Sequence, residues 1–412
     1  MSGQHRLAPS PELRRHWRLV RGLLVALIAS VSVGSWWLLA SADTPPKPAA
    51  SGMASHFPPA TTSTATTAPA PAPAPASTAP AVTVAANAPI SLTATGPGWL
   101  APGSDPSVLP GPVLIADGNG NRVLIIDSNG RNLWQFPRAG DLAAGQTFKA
   151  PEVAWFSPDS KQVVVASEDT HILYVIDIVT HKIVSTYGTA GTAGWGANQL
   201  STPDGVVMLP SRELMVPDSG NCRIILIPAG ATAISRQIGT TGTCAHHPPT
   251  TFSDPSGLFP MTNGNYVLTE GVGHFVSEMT PAGKIVWTVQ VPGVSAIYQT
   301  DEIGPDRYLT VDHVVAGKVL TFNHSGKVLW SYAPTGAQSL NKPSLAIGLP
   351  NGDVMISDKV NNRLLVVDPR NNRVVWQYGH TGVPGSGPGF LNNPTGMDLY
   401  PPNAIAAKHP TR

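Results

Sequence analysis

From about residue 108 onward, apolar residues come in short runs rich in valine, isoleucine and leucine, separated by tight polar turns. Leu345 to Leu349 leads into Asn351-Gly352, then Val354 to Ser357 ends in Asp358, Arg363 to Val367 ends in Asp368, and Arg373 to Tyr378 closes the set. Runs this short and this β-branched, joined by Asn-Gly and similar turns, predict strands rather than helices.

The same order returns along the chain. Phe148, Leu200, Phe252, Leu340 and Leu391 each stand three positions ahead of a proline, and Pro151, Pro203, Pro255, Pro343 and Pro394 follow one another at 52, 52, 88 and 51 residues. The long interval is two periods with Ala296 in the missing proline position, which makes six units of roughly 50 residues. Four short strands per unit at this period predict an all-β, six-bladed propeller over 108–400. Its first unit begins with a second strand, Val113 to Ala116, and the last is followed by a surplus first strand, Thr395 to Tyr400. Exchanging that strand closes the ring and removes an exposed sheet edge. Large rings recur in the fourth strand, at Trp134, Trp287, Trp330 and Trp376, and are read as packing between blades.

Ahead of the repeat the pattern changes twice. Residues 1–21 hold Arg14, Arg15, Arg18 and Arg21, and 22–42 carry no charge. About 20 apolar residues span a bilayer, and the arginines mark the cytoplasmic side. Residues 1–21 are thus expected to be a cytoplasmic basic tail and 22–42 a single-pass signal anchor in the cell membrane, with everything after it extracytoplasmic. The alternative is a secreted protein cleaved after Ala42, since Ala40-Ser41-Ala42 fits a cleavage site. Residues 43–107, rich in Ala, Pro and Thr, read as a disordered, semi-rigid spacer, and 401–412 as a C-terminal tail.

Composition narrows the function. Pro and Gly make up 82 of 412 residues and only 12% are charged, too few for the exposed faces of a helical bundle. A net charge of +1 gives no field for a polyanion, so nucleic acid is excluded as a partner. Two cysteines cannot build a four-thiolate zinc site. Cys222, in the second-to-third-strand turn of the third unit, and Cys244, in the loop leaving that unit, emerge on one face and are expected to form a disulfide.

The turn between second and third strands carries the recurring chemistry. Asp117 with Arg122, Asp218 with Arg223, and Asp358 with Arg363 repeat one spacing, and Asp169, Glu270 and Asp312 take the acidic position elsewhere. The structural reading is a carboxylate that accepts backbone N–H groups and pairs with its arginine. The same turn holds His171, His274 and His313, and His246, His247 and His380 lie in loops reaching the same face. Imidazoles converging there could hold a metal or act as acid and base, although no segment has metal-ligand spacing of its own. No catalytic residue, cofactor or metal is assigned.

Asp117-Gly118-Asn119-Gly120-Asn121-Arg122, Asp218-Ser219-Gly220-Asn221-Cys222-Arg223 and Asp358-Lys359-Val360-Asn361-Asn362-Arg363 resemble the core of NHL repeats. The fourth-strand Gly-Lys-x-x-Trp pattern resembles pyrroloquinoline-quinone-type propeller repeats. The resemblance implies the six-bladed fold; function varies among such propellers. The expected role is a membrane-tethered ligand- or protein-binding platform. The alternatives are a lyase, lactonase or arylsulfotransferase-like enzyme, the first and last implying histidines from several blades, and a purely structural envelope protein.

Overall fold

The computed structural model describes residues 92–400; the basic tail, the apolar segment, most of the spacer and the residues after 400 lie outside the described residues. Among the described residues the only helices are single 3-10 turns, and the chain is otherwise strand and turn. Six antiparallel sheets form in the order predicted.

Blade one pairs Pro394–Leu399, Val113–Asp117, Arg122–Ile126 and Asn132–Phe136, so the C-terminal strand lies innermost beside the first strand of the ring. Blade two is Val153–Phe156, Gln162–Ser167, Ile172–Asp177 and Lys182–Gly188. Blade three is Val207–Met208, Leu214–Asp218, Arg223–Ile227 and Arg236–Ile238, and blade four is Pro255–Pro260, Tyr266–Glu270, Phe275–Met279 and Ile285–Gln290. Blade five is Ile297–Gly304, Arg307–Asp312, Val315–Phe322 and Val328–Tyr332, with Leu340–Asn341 added beside its third strand. Blade six is Pro343–Gly348, Val354–Asp358, Arg363–Asp368 and Arg373–Tyr378.

Burial explains the hydrophobic pattern. Second and third strands are covered by blades on both sides and are buried almost throughout, as in Val354–Asp358 and Arg363–Asp368. Outer strands alternate: Ile285–Gln290 is half-buried and exposed by turns. The apolar residues separate into six clusters, one in each seam between adjacent blades. At roughly 1.5–3 kcal/mol for each fully buried Val, Leu, Ile or Phe, these seams hold the ring together.

The recurring tryptophans fasten the seams. Trp134 donates its indole N–H to Ile178 O at 2.9 Å, Trp287 to His324 O at 2.9 Å, Trp330 to Asn372 Oδ1 at 2.9 Å and Trp376 to Ser128 O at 3.0 Å, each in the third-to-fourth-strand turn of the next blade. The proline marker also has a backbone meaning. Ala150, Thr202, Asp254, Lys342 and Asn393, which precede the five marker prolines, all have positive φ, between 45° and 63°. A left-handed residue followed by a fixed proline turns the chain from an interblade loop into an inner strand.

Order begins before the expected domain boundary at 108. Thr95 N bonds Asn132 O at 2.8 Å, Ala101 N bonds Gln377 O at 3.1 Å and Asp105 N bonds Val375 O at 2.8 Å. The end of the spacer therefore covers the outer edges of blades one and six, because Trp99 and Leu100 supply apolar surface that the Ala-Pro tract lacks.

Candidate functional site

The acid–arginine pairs are internal to the fold. Arg122 Nε meets Asp117 Oδ2 at 2.7 Å, Arg223 Nε meets Asp218 Oδ2 at 2.8 Å, and Arg363 Nε meets Asp358 Oδ2 at 2.8 Å, all six side chains buried. The other carboxylate oxygen accepts an N–H from the segment entering the same blade: Asn392 for Asp117, Ser201 for Asp218 and Asn341 for Asp358. Each pair latches the second-to-third-strand turn to that segment. Burial pushes all three carboxyls above their ordinary pKa, against the pull of their arginines.

Strand register refines the acidic set. Asp117 faces Arg122, Glu270 faces Phe275 and Asp312 faces Lys318, but in blade two the equivalent facing pair is Ser167 and Ile172. Asp169 lies beyond it on the exposed tip, and Ser167 Oγ makes the latch instead, donating to Lys149 O at 2.7 Å.

The histidines do separate jobs. His171 and His274 occupy the left-handed turn position, with φ of 58°, that Asn121, Cys222 and Asn362 fill in blades one, three and six. His171 Nδ1 accepts from Thr202 N at 3.0 Å, as Asn121 Oδ1 accepts from Ala150 N and Asn362 Oδ1 from Asn393 N. His246 stacks on Phe275 with centroids 3.5 Å apart and bonds Glu270 at 2.8 Å. His380 lies between Trp99 and Phe390, at 3.8 and 4.0 Å, while His247 is exposed in its loop. Among the described residues, no three His, Cys, Asp or Glu side chains come together to hold a metal ion. Cys222 and Cys244 are joined as a disulfide with Cα atoms 5.2 Å apart, which fixes the loop that carries His246.

The residues that follow the five marker prolines and Ala296 form a set of their own: Glu152, Asp204, Ser256, Ile297, Ser344 and Thr395. In blades four, six and one the hydroxyl bridges to the neighbouring inner strand, with Ser256 Oγ on Tyr298 O, Ser344 Oγ on Thr395 O and Thr395 Oγ1 on Pro151 O. In blades two and three the position is acidic. Glu152 reaches across the axis, accepting from Tyr298 OH of blade five at 3.0 Å and from Lys359 Nζ of blade six at 2.8 Å. The ring of Trp155, from blade two, meets that of Phe259, from blade four, at 4.8 Å. Side chains thus bridge the centre of the propeller.

Electrostatics are strained here. Burial opposes ionisation of Glu152, yet Lys359 and the Tyr298 hydrogen bond hold its carboxyl below the ordinary value. Asp204 is 7% exposed and its Oδ1 has no hydrogen-bond partner among the described residues. Burial, then the carboxylates of Glu168, Asp254 and Glu152, push it well above the carboxylate range. Burial and Glu270 push Asp254 up to about 6, and burial and Lys359 push His313 down to about 4. His313 packs on Tyr298, with centroids 5.0 Å apart, beside this cluster. Sequence reasoning missed Glu152, Asp204, Tyr298 and Lys359; for Glu152 and Asp204 the signal was the position one step past a marker proline, and Tyr298 and Lys359 carry no such mark.

Residues 230–389 match the family model described as PQQ-type, outer membrane protein assembly factor BamB. No curated protein matches the chain. Among solved structures, a protein of unknown function from Bacteroides caccae is 14% identical with a TM-score of 0.47, over 70% of this chain and 98% of that one. Hydrazine synthase of Kuenenia stuttgartiensis is 14% identical with a TM-score of 0.44, over 67% and 77%. Virginiamycin B lyase of Staphylococcus aureus is 14% identical with a TM-score of 0.40, over 57% and 71%.

Proposed function

We propose that this protein is a membrane-tethered, extracytoplasmic platform that binds a polypeptide on the face built from the second-to-third-strand turns and the interblade loops. One observation carries the reading. Trp195, Val272, Val315, Val360 and Val383 all lie on that face and are between 42% and 71% exposed. Apolar side chains gathered on one surface, with polar groups between them, mark a contact surface. Glu168 and Asp254, close enough to Asp204 to raise its pKa, add acidic character that favours a partner presenting a cationic group beside its apolar contacts. The family description matched by residues 230–389 is that of a protein assembly factor, which fits a polypeptide ligand better than a small molecule. The apolar 22–42 segment with its flanking arginines supports the tether and the extracytoplasmic placement.

The test compares two triple variants of the full-length chain as bait in envelope extracts. Val272→Ser/Val315→Ser/Val360→Ser alters the face, and Val286→Ser/Val328→Ser/Leu329→Ser alters the outer strands. Quantitative mass spectrometry is expected to show partners lost from the first bait and kept by the second. Equal recovery by both would refute the face as the binding surface.

A further inference from the structure

Five of the six seams are bridged from the same fourth-strand position. Register places Trp134 opposite Ile125, Trp287 opposite Glu278, Trp330 opposite Thr321 and Trp376 opposite Val366. Arg236, opposite Leu226 in blade three, holds that position and donates to Pro281 O of blade four. The equivalent residue in blade two, opposite Val175, is Ser185, too short to cross. A cavity of about 160 Å³ opens there, walled by Val175, Val184, Met208, Leu214 and the turn from Pro228 to Ala231. That volume compares with the roughly 150 Å³ apolar cavity that takes up benzene. In that turn Ala231 N bonds Pro228 O, so Ala229 stands where Ser128, Ile178 and His324 offer their carbonyls to indoles in other seams. At one end of the slot Arg212 meets Asp159 at 3.1 Å, which ties blades two and three without an indole.

The same chain has one strongly exposed indole among the described residues. Trp195, 71% exposed, sits in the loop from blade two to blade three, where blade six has Ser386. The loop is braced: Gly194 N bonds Leu200 O at 2.9 Å, Gly196 N bonds Gln199 Oε1 at 3.1 Å and Asn221 Nδ2 bonds Gly194 O at 2.8 Å. A rigidly presented tryptophan loses little entropy on docking and is a typical anchor. It lies at the end of the blade two–three seam opposite the slot, since interblade loops and third-to-fourth-strand turns leave a blade at opposite ends.

We propose that Trp195 of one molecule inserts into the slot beside Ser185 of a second copy, with its indole N–H on Ala229 O, so that propellers associate head to tail. This deepens, and rests on, the reading of the Trp195 face as a polypeptide-binding surface. The contact is heterologous, so it extends from copy to copy rather than closing in a symmetric pair. One tryptophan buries only about 150–250 Å², well short of a standard interface, so association is weak in dilute solution and depends on the high local concentration that tethering supplies.

The experiment places the photo-cross-linker p-benzoylphenylalanine at position 195 of the full-length chain in its membrane and maps the adducts by mass spectrometry. The expected product is a self-adduct joined to the peptide containing Pro228 to Ala231. It should disappear when Ser185→Trp fills the slot of every copy. It should return when cross-linker-bearing Ser185→Trp chains are co-expressed with chains that keep Ser185, which also shows that the blocked variant folds. Absence of a self-adduct, or one that persists when every copy carries Ser185→Trp, overturns the inference. Adducts to a different protein alone overturn it too, while leaving the face as a binding surface.

Discussion

Arg363 shows how one residue type can be structural and look functional. Its guanidinium is 1% exposed, pairs with Asp358 and also bonds Thr381 Oγ1 at 3.1 Å, in the loop leaving the blade. Arg363→Leu should destabilise the propeller by about 3–5 kcal/mol, because it strands a buried carboxylate; replacing both partners with apolar residues should cost much less. Chemical denaturation of the parent and these two variants checks this ordering. The raised pKa of Asp254 makes a second residue-level prediction. The unfolded chain ionises it near 3.8 and the folded one near 6, so its contribution to stability is whole below pH 4 and is lost as pH rises to 6. His313 acts in the opposite sense, full above 6.5 and lost as pH falls toward 4. Asp254→Asn should therefore melt a few degrees above the parent at pH 7, with the difference closing by pH 4. A constant difference across that range would contradict the assignment. Asp–Arg latches were legible in the sequence because their spacing recurs. The imidazoles were not, because the role of His171 follows from its left-handed backbone, which residue type alone does not reveal.

At the scale of the element, the inner strand Pro394–Leu399 is a dependency of blade one on the far end of the chain. Its residues pair with Val113–Asp117, and Met397 and Leu399 are fully buried in the seam with blade six. Removing residues 390–412 should uncover Val113–Asp117 and lead to aggregation or a large fall in melting temperature. A melting curve unchanged by the deletion would contradict this role. Strand order and this pairing were legible because turns and β-branched runs repeat at a constant period. The docking of residues 92–107 was not, since a proline-rich composition suggests a solvated spacer and the edges it covers exist only in the folded ring. Likewise, the slot beside Ser185 cannot be seen in one unit alone. It is visible as a missing tryptophan only after the register of six blades is known.

For the whole molecule, the centre is bridged by Glu152, Tyr298 and Lys359, and Trp195, Val272, Val315, Val360 and Val383 stand exposed on the face built from the second-to-third-strand turns and interblade loops. With the axis bridged by side chains, the binding surface proposed above is the face itself and not an open channel. Oxidative footprinting tests this most directly, comparing the chain in intact cells with the purified chain. Protection in cells is predicted at Trp195, Val272, Val315 and Val360, with Val286, Val328 and Leu329 equally labelled in both states. Protection confined to the outer-strand residues, or none at all on the face, would contradict the account.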